Sequence, residues 1–182
     1  MAACGHGGAM KQLMIGRRVA MLSLFVLSAC AGSTKPAEAP HALLGKAAPE
    51  LSGGDVPGSP SASFSRDGTV VIVDFWATHC GPCVKAFPKL QALEQRHAGK
   101  VRVIGVSEDD ELDVIAPFVA RTGVKFSMLW DKDKATGERY GVKSMPETFV
   151  LDKKGTIRFV HLGYRAGESE AIEEEVSRLL AE

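Results

Sequence analysis

Three things are scarce in this sequence. Among 182 residues there are four cysteines, and no second Cys-x-x-Cys or Cys/His pair accompanies Cys80 and Cys83. A structural zinc site needs four suitably spaced ligands, so this pair lacks the other half of one. Net charge is also missing, since 22 Lys and Arg balance 22 Asp and Glu. That balance provides no basic footprint for nucleic acid and no field for a charged substrate. Long apolar runs are absent too. The stretch Val19–Leu27 falls short of the ~20 residues of a membrane-spanning helix. There is no internal repeat, and the length suits one domain with a real core.

Arg17 and Arg18 precede the apolar stretch, and a basic region followed by a short apolar core reads as an export signal. The stretch leads into Leu27-Ser28-Ala29-Cys30, which resembles the processing box of bacterial lipoproteins. In that family the cysteine is lipidated and becomes the first residue; an ordinary signal with a chance cysteine is the plainer alternative. Residues 1–29 are therefore read as a lipoprotein signal peptide, 30–42 as a flexible tether rich in small residues and proline, and 43–182 as the folded domain. Met1–Ala9 is glycine-rich and unlike a signal, which makes Met10 or Met14 a candidate start. Arg17-Arg18 is a poor twin-arginine signal, because the residues after it do not fit. With Cys4 removed and Cys30 lipidated, Cys80 and Cys83 are left free for redox work in a compartment that permits disulfides.

The run Val70-Val71-Ile72-Val73 is β-branched and reads as a buried strand. After Cys83, Val84, Phe87, Leu90 and Leu93 recur at helical spacing. Cys80 thus stands at a strand-to-helix junction, where free N–H groups and the helix dipole favour a thiolate. Pro82 suits a helix start and Gly81 a tight turn. A purely structural disulfide is the other reading, but so short a loop adds little stability.

Farther on, the pattern predicts a helix to about His97 with Gly99 as its cap and a kink at Pro88, then a strand Val101–Val106. A helix Leu112–Arg121, a strand Lys125–Trp130 and a short helix Thr136–Tyr140 follow. Strands Thr148–Asp152 and Thr156–Leu162 form a hairpin, and Glu168–Leu180 is an amphipathic helix. Residues 43–64, rich in turn signals, suggest loops with one short hairpin.

Val73-Asp74-Phe75-Trp76-Ala77 followed by Cys80-Gly81-Pro82-Cys83 resembles thioredoxin. From Leu44 to Leu180 the chain is similar to the membrane-tethered TlpA/ResA-like branch of that superfamily. The resemblance implies an α/β, thioredoxin-like fold: a central mixed sheet flanked by helices on both faces, with a strand–helix insertion and an N-terminal extension. It implies a protein disulfide oxidoreductase needing no cofactor and no metal. The partners implied are disulfide-bearing exported clients, apocytochrome c among them, and a membrane electron donor. The membrane itself is reached through lipidated Cys30, and no nucleic acid is involved.

Residue by residue, the resemblance makes Cys80 the attacking thiol, Cys83 the resolving thiol, and Asp74 the proton acceptor for Cys83. Asp74 interrupts an apolar strand, where an unpaired carboxylate is costly and its pKa should rise. The lysine that relatives place on the next strand is absent from Val103-Ile104-Gly105-Val106. Met145-Pro146 corresponds to a cis-proline facing the dithiol, with Met145 offering backbone groups to an extended client. Glu147 fits either a site-lining acid, as in the Pro-Glu-Thr-Phe of cytochrome c maturation reductases, or a surface charge at a strand start. Trp76 is assigned to client contact, with packing beneath the loop as the default for an aromatic. His79, where most relatives have tryptophan, either tunes Cys80 with Gly81 and Pro82 or is an exposed loop residue. Ala86 replaces the glutamate common in the branch, so no mechanism through that acid applies here. His161 reads as a satisfied sheet residue.

Two other functions compete. Peroxide reductases of the related fold use Thr or Ser three residues before the reactive cysteine, where this chain has Ala77. Copper-delivery proteins use Cys-x-x-x-Cys, one residue longer than the spacing here.

Overall fold

The computed structural model describes residues 40–62 and 67–182. The expected signal peptide, Cys30 and nearly all of the tether lie outside them. The β-branched run opens β2 (Val70–Trp76), in which every residue is buried. β2 pairs in parallel with β3 (Val101–Ser107) and antiparallel with β5 (Glu147–Leu151). β4 (Ser127–Trp130) continues the parallel side, β1 (Gly54–Asp55) closes that edge antiparallel, and β6 (Ile157–Leu162) lies outside β5. The order is β1-β4-β3-β2-β5-β6. Crossovers between parallel strands take about a dozen or more residues and are usually helices. Here they are α1 (Gly81–Arg96) and α2 (Leu112–Thr122), followed by α3 (Ala135–Tyr140) and α4 (Glu168–Ala181).

The two faces of β2 bury different layers, because side chains alternate along a strand. Val70, Ile72 and Trp76 pack with Phe87 and Leu90 of α1, Phe118 of α2 and Val176 of α4. Val71, Val73 and Phe75 pack with Phe149, Leu151 and Tyr140 of α3, and with Leu43 and Ala48 from the N-terminal segment. The sheet is therefore covered by helices on both faces, as the resemblance implied.

Residues 43–62 form no hairpin; instead Gly54–Asp55 add to the distant β4. A Cβ at Gly53 would lie 2.5 Å from the Trp130 carbonyl oxygen, so only glycine permits that approach. α1 begins earlier than the periodicity predicts and continues past Pro88 to Arg96. It ends with the His97 N–H on Leu93 O, while Gly99 (φ 77°) forms the following turn rather than the cap.

His161 of β6 is held by α4: its Nδ1 lies 2.5 Å from Glu168 Oε1 and its Nε2 2.7 Å from Glu175 Oε2. Burial pulls its pKa down, but Glu175 and then Glu168 outweigh this, leaving it above the ordinary histidine value. A raised folded pKa stabilises fully below the unfolded value and is lost as pH rises through the folded one. His161→Gln is expected to lower stability most below about pH 6.5 and progressively less in alkaline buffer. Urea unfolding of both proteins across pH checks this.

Candidate active site

The loop that ends β2 runs straight into α1. Cys80 is the helix N-cap, extended at φ −86° and ψ 92°, and its Sγ accepts the Cys83 N–H at 3.3 Å. A disulfide joins Cys80 to Cys83 across one helical turn, with Cα atoms 5.4 Å apart. Cys83 is wholly buried and Cys80 is 8% exposed, so the N-cap sulfur is the accessible one. Cys80 is more enclosed than a free loop would leave it, since its N–H turns back onto the Ala77 carbonyl at 3.0 Å.

The loop is pinned by a residue that sequence reasoning missed. Asp109, nearly buried beyond the end of β3, accepts the Thr78 N–H at 2.9 and 3.1 Å, the Thr78 hydroxyl at 2.7 Å and the Ser107 hydroxyl at 2.9 Å. In the sequence it is one acid in the run Glu108-Asp109-Asp110-Glu111, and nothing distinguishes it. Its removal strands several buried donors. Asp109→Ala is expected to cost about 2–4 kcal/mol, read by chemical denaturation. The solvent-exposed ring of His79 lies 3.8 Å from the same carboxylate.

Asp74 has no exposed surface. It shares the sheet face of Ile72 and Trp76, the face that packs against Cys83. Thr148, opposite it on β5, donates its hydroxyl to Asp74 Oδ1 at 2.6 Å, while Oδ2 has no partner among the described residues. Burial raises the pKa to about 7 against the smaller opposing effect of Thr148. Thr148 is the second functional residue that sequence reasoning missed, because cross-strand register is not visible along a chain. Gly105 faces Asp74 on β3, and a Cβ there would meet Met128 Sδ at 2.6 Å and Trp76 Nε1 at 3.1 Å, so any side chain at that position would displace Met128.

Trp76 requires a correction. It is fully buried, edge-on to Phe87 at 5.0 Å and tilted over Phe118 at 5.4 Å, so it is packing and offers no surface to a client. Met145-Pro146 has a cis peptide bond. Glu147 pairs with Phe75, which places Pro146 across from Trp76 at the strand ends leading to Cys80. Met145 packs against the layer that holds both cysteines. Beside it opens a 380 Å³ cleft lined by Glu108, Lys134, Lys143 and Ser144. The Glu108 carboxyl is raised to about 7 by burial and then by Asp131, against Lys134.

Glu147 also departs from both readings of the sequence. It is neither exposed nor on the dithiol face. The register puts it with Phe75 and Phe149 on the opposite face, where Oε2 accepts the Lys143 N–H at 3.0 Å. Ala86 is buried in α1 and borders a 170 Å³ cavity between α1 and α4 that reaches Thr148.

A disulfide that spans one helical turn in front of an acid titrating near neutrality is arranged to open and close. Carried on this mixed sheet, it defines a thioredoxin-like thiol–disulfide oxidoreductase. The chain belongs to the AhpC/TSA family, whose model matches residues 44–160. It is 32% identical over 155 residues to the thiol:disulfide interchange protein DsbE of Escherichia coli K12, covering 83% of this chain and 82% of that protein. It is 35% identical over 123 residues to the thioredoxin-like protein YneN of Bacillus subtilis, covering 65% and 71% of the two chains. Among solved structures, a putative DsbE from Chlorobium tepidum superposes with a TM-score of 0.61 at 33% identity, covering 63% of this chain and 82% of that one.

Proposed function

We propose that this enzyme is an exported, lipid-anchored reductase of disulfides in exported proteins, with the oxidised Cys-x-x-Cys-His segment of an apocytochrome c as a client. The observation that carries the reading is Asp74, a buried carboxyl held near pH 7 behind the resolving cysteine. The Cys80 thiolate, favoured at the N-cap, attacks one client sulfur and expels the other as a thiolate. Cys83 passes its proton to Asp74 and attacks Cys80 Sγ. The client sulfur that was bonded to Cys80 leaves as a thiolate, so the client is left as a dithiol and the enzyme with the Cys80–Cys83 disulfide. A membrane donor returns two electrons to that disulfide. The client lies extended over Met145 and Pro146, its main chain bonded to Met145. Gly81 and Pro82 shape the turn between the sulfurs, and His79, facing Asp109, has at most a small effect on Cys80.

Lipidated Cys30 anchors the domain through the tether, as the Leu27-Ser28-Ala29-Cys30 box suggests. Among the described residues no helix is long and apolar enough to cross a membrane. The decisive experiment mixes the reduced enzyme with an oxidised Cys-x-x-Cys-His peptide and measures the equilibrium against glutathione. Reduction of the peptide at a thioredoxin-like potential supports the proposal, whereas a potential near that of a strong oxidase would reverse its direction. Fatty-acid labelling that disappears in Cys30→Ser tests the anchor. Hydrogen peroxide is expected to be a poor substrate, because buried Ala77 has no hydroxyl to offer it.

A further inference from the structure

Glu147 has no exposed surface, yet among the described residues its Oε1 has no hydrogen-bond partner. A buried carboxylate in that condition is costly, so its surroundings reveal what it is for. Two contacts meet it. Its Oε2 accepts the Lys143 N–H at 3.0 Å, which ties the carboxylate across residues 143–147, the segment containing Met145-Pro146. Its Oε1 faces His41 Nε2 at 3.5 Å, and His41 is itself mostly buried. The Leu43 N–H donates to His41 Nδ1 at 3.2 Å, so the ring hydrogen sits on Nε2, the nitrogen turned toward Glu147. The ring stands edge-on to Phe149 at 5.2 Å, which fixes its plane. His41 and Glu147 line a 420 Å³ cleft, and the other cations bordering it are Lys143 and Arg139. The Arg139 guanidinium is occupied, donating to Glu50 O, Ser52 Oγ and Thr136 Oγ1.

We propose that Glu147 is a positioning residue. With His41 and the Lys143 amide it forms a clasp on the back of the sheet that holds the Met145-Pro146 loop in shape to receive a client's main chain. This rests on the client-binding reading above. His41 falls at the end of the segment read as the tether, so the clasp also joins the point where the tether enters the domain to the client loop. The carboxylate acts on the client only through the loop, because the sheet separates it from the dithiol.

The test compares two oxidants of the reduced enzyme. One is an oxidised Cys-x-x-Cys-His peptide, which needs the loop; the other is hydroxyethyl disulfide, which needs the dithiol but not the loop. His41→Phe keeps the ring on Phe149 and removes the N–H, Glu147→Gln removes the charge, and His41→Gln restores an N–H donor. His41→Phe and Glu147→Gln are each expected to slow the peptide reaction by about 10- to 100-fold while leaving the small disulfide within about twofold. The double variant should be no slower than either single one, and His41→Gln should recover most of the loss. Amide exchange at Lys143 should quicken in both single variants. Wild-type peptide rates in His41→Phe would overturn the clasp, as would equal losses with both oxidants. Should Glu147→Gln fail to fold, the His41→Phe rates and Lys143 exchange decide by themselves. If the unaltered enzyme reduces neither oxidant, the oxidoreductase reading has failed rather than the clasp.

Discussion

Cys83→Ala should accumulate covalent mixed disulfides with its client proteins, whereas Cys80→Ser should accumulate none. The difference follows from the helix N-terminus. Cys80 is the N-cap, the more accessible sulfur, and accepts the Cys83 amide, all of which favour a reactive thiolate there. Cys83 has no exposed surface and can reach only a sulfur already bonded to Cys80. Removing it leaves the first exchange intact and abolishes the second, so clients remain attached. Removing Cys80 abolishes both, and reduction should fall to the uncatalysed level. Non-reducing electrophoresis followed by mass spectrometry identifies the attached proteins. Equal trapping by both variants would refute the division of labour.

The second large effect concerns Asp74, where activity and stability are expected to move in opposite directions. Its carboxyl is raised from the ordinary aspartate value of 3.8 to about 7, chiefly by burial. Between those values the folded protein retains a proton that the unfolded chain has lost. The slope of stability with pH is therefore negative, and folding weakens as pH rises from about 4 to about 7. Integrated over that window the loss is about 4 kcal/mol. Asp74→Asn keeps an acceptor for the Thr148 hydroxyl and cannot ionise, so it should be more stable than the wild type by up to that amount above about pH 8. It should also slow release of the mixed disulfide by about 100-fold or more at neutral pH, since Cys83 loses its proton acceptor. Urea unfolding of the oxidised proteins against pH tests the first statement, and single-turnover resolution of a pre-formed mixed disulfide tests the second. A variant that resolves at wild-type rate would remove Asp74 from the chemistry. One less stable than wild type at alkaline pH would mean that the acid stabilises the fold, contrary to its burial.

The effects expected at Asp109 and Asp74 differ in sign for a physical reason. Asp109 is paid back for its burial by four hydrogen bonds from Thr78 and Ser107, so removing it leaves donors unsatisfied. Among the described residues, Asp74 has one hydrogen bond and an unpartnered oxygen. An acid in that position weakens the fold when ionised, and such positions concentrate where chemistry needs a shifted pKa.

The residues from Val70 to Leu93 determined a great deal unaided. A β-branched strand, a short loop, a glycine and proline between two cysteines and a helical repeat are all local signals, and local signals survive in a one-dimensional reading. They located the redox pair, its place at a helix start and the acid on the strand behind it. Only the tertiary structure decided which face each side chain occupies and what meets it there. Glu147 and Thr148 are neighbours in the chain, yet pleating sends one to the His41 side of the sheet and the other to Asp74. Trp76 passed from candidate client contact to core because α1 and α2 close over it. Asp109 and His41 came to matter only through contacts with residues far away along the chain. Those contacts depend on strand register and layer packing, which bring distant residues together and leave no periodic trace in the sequence.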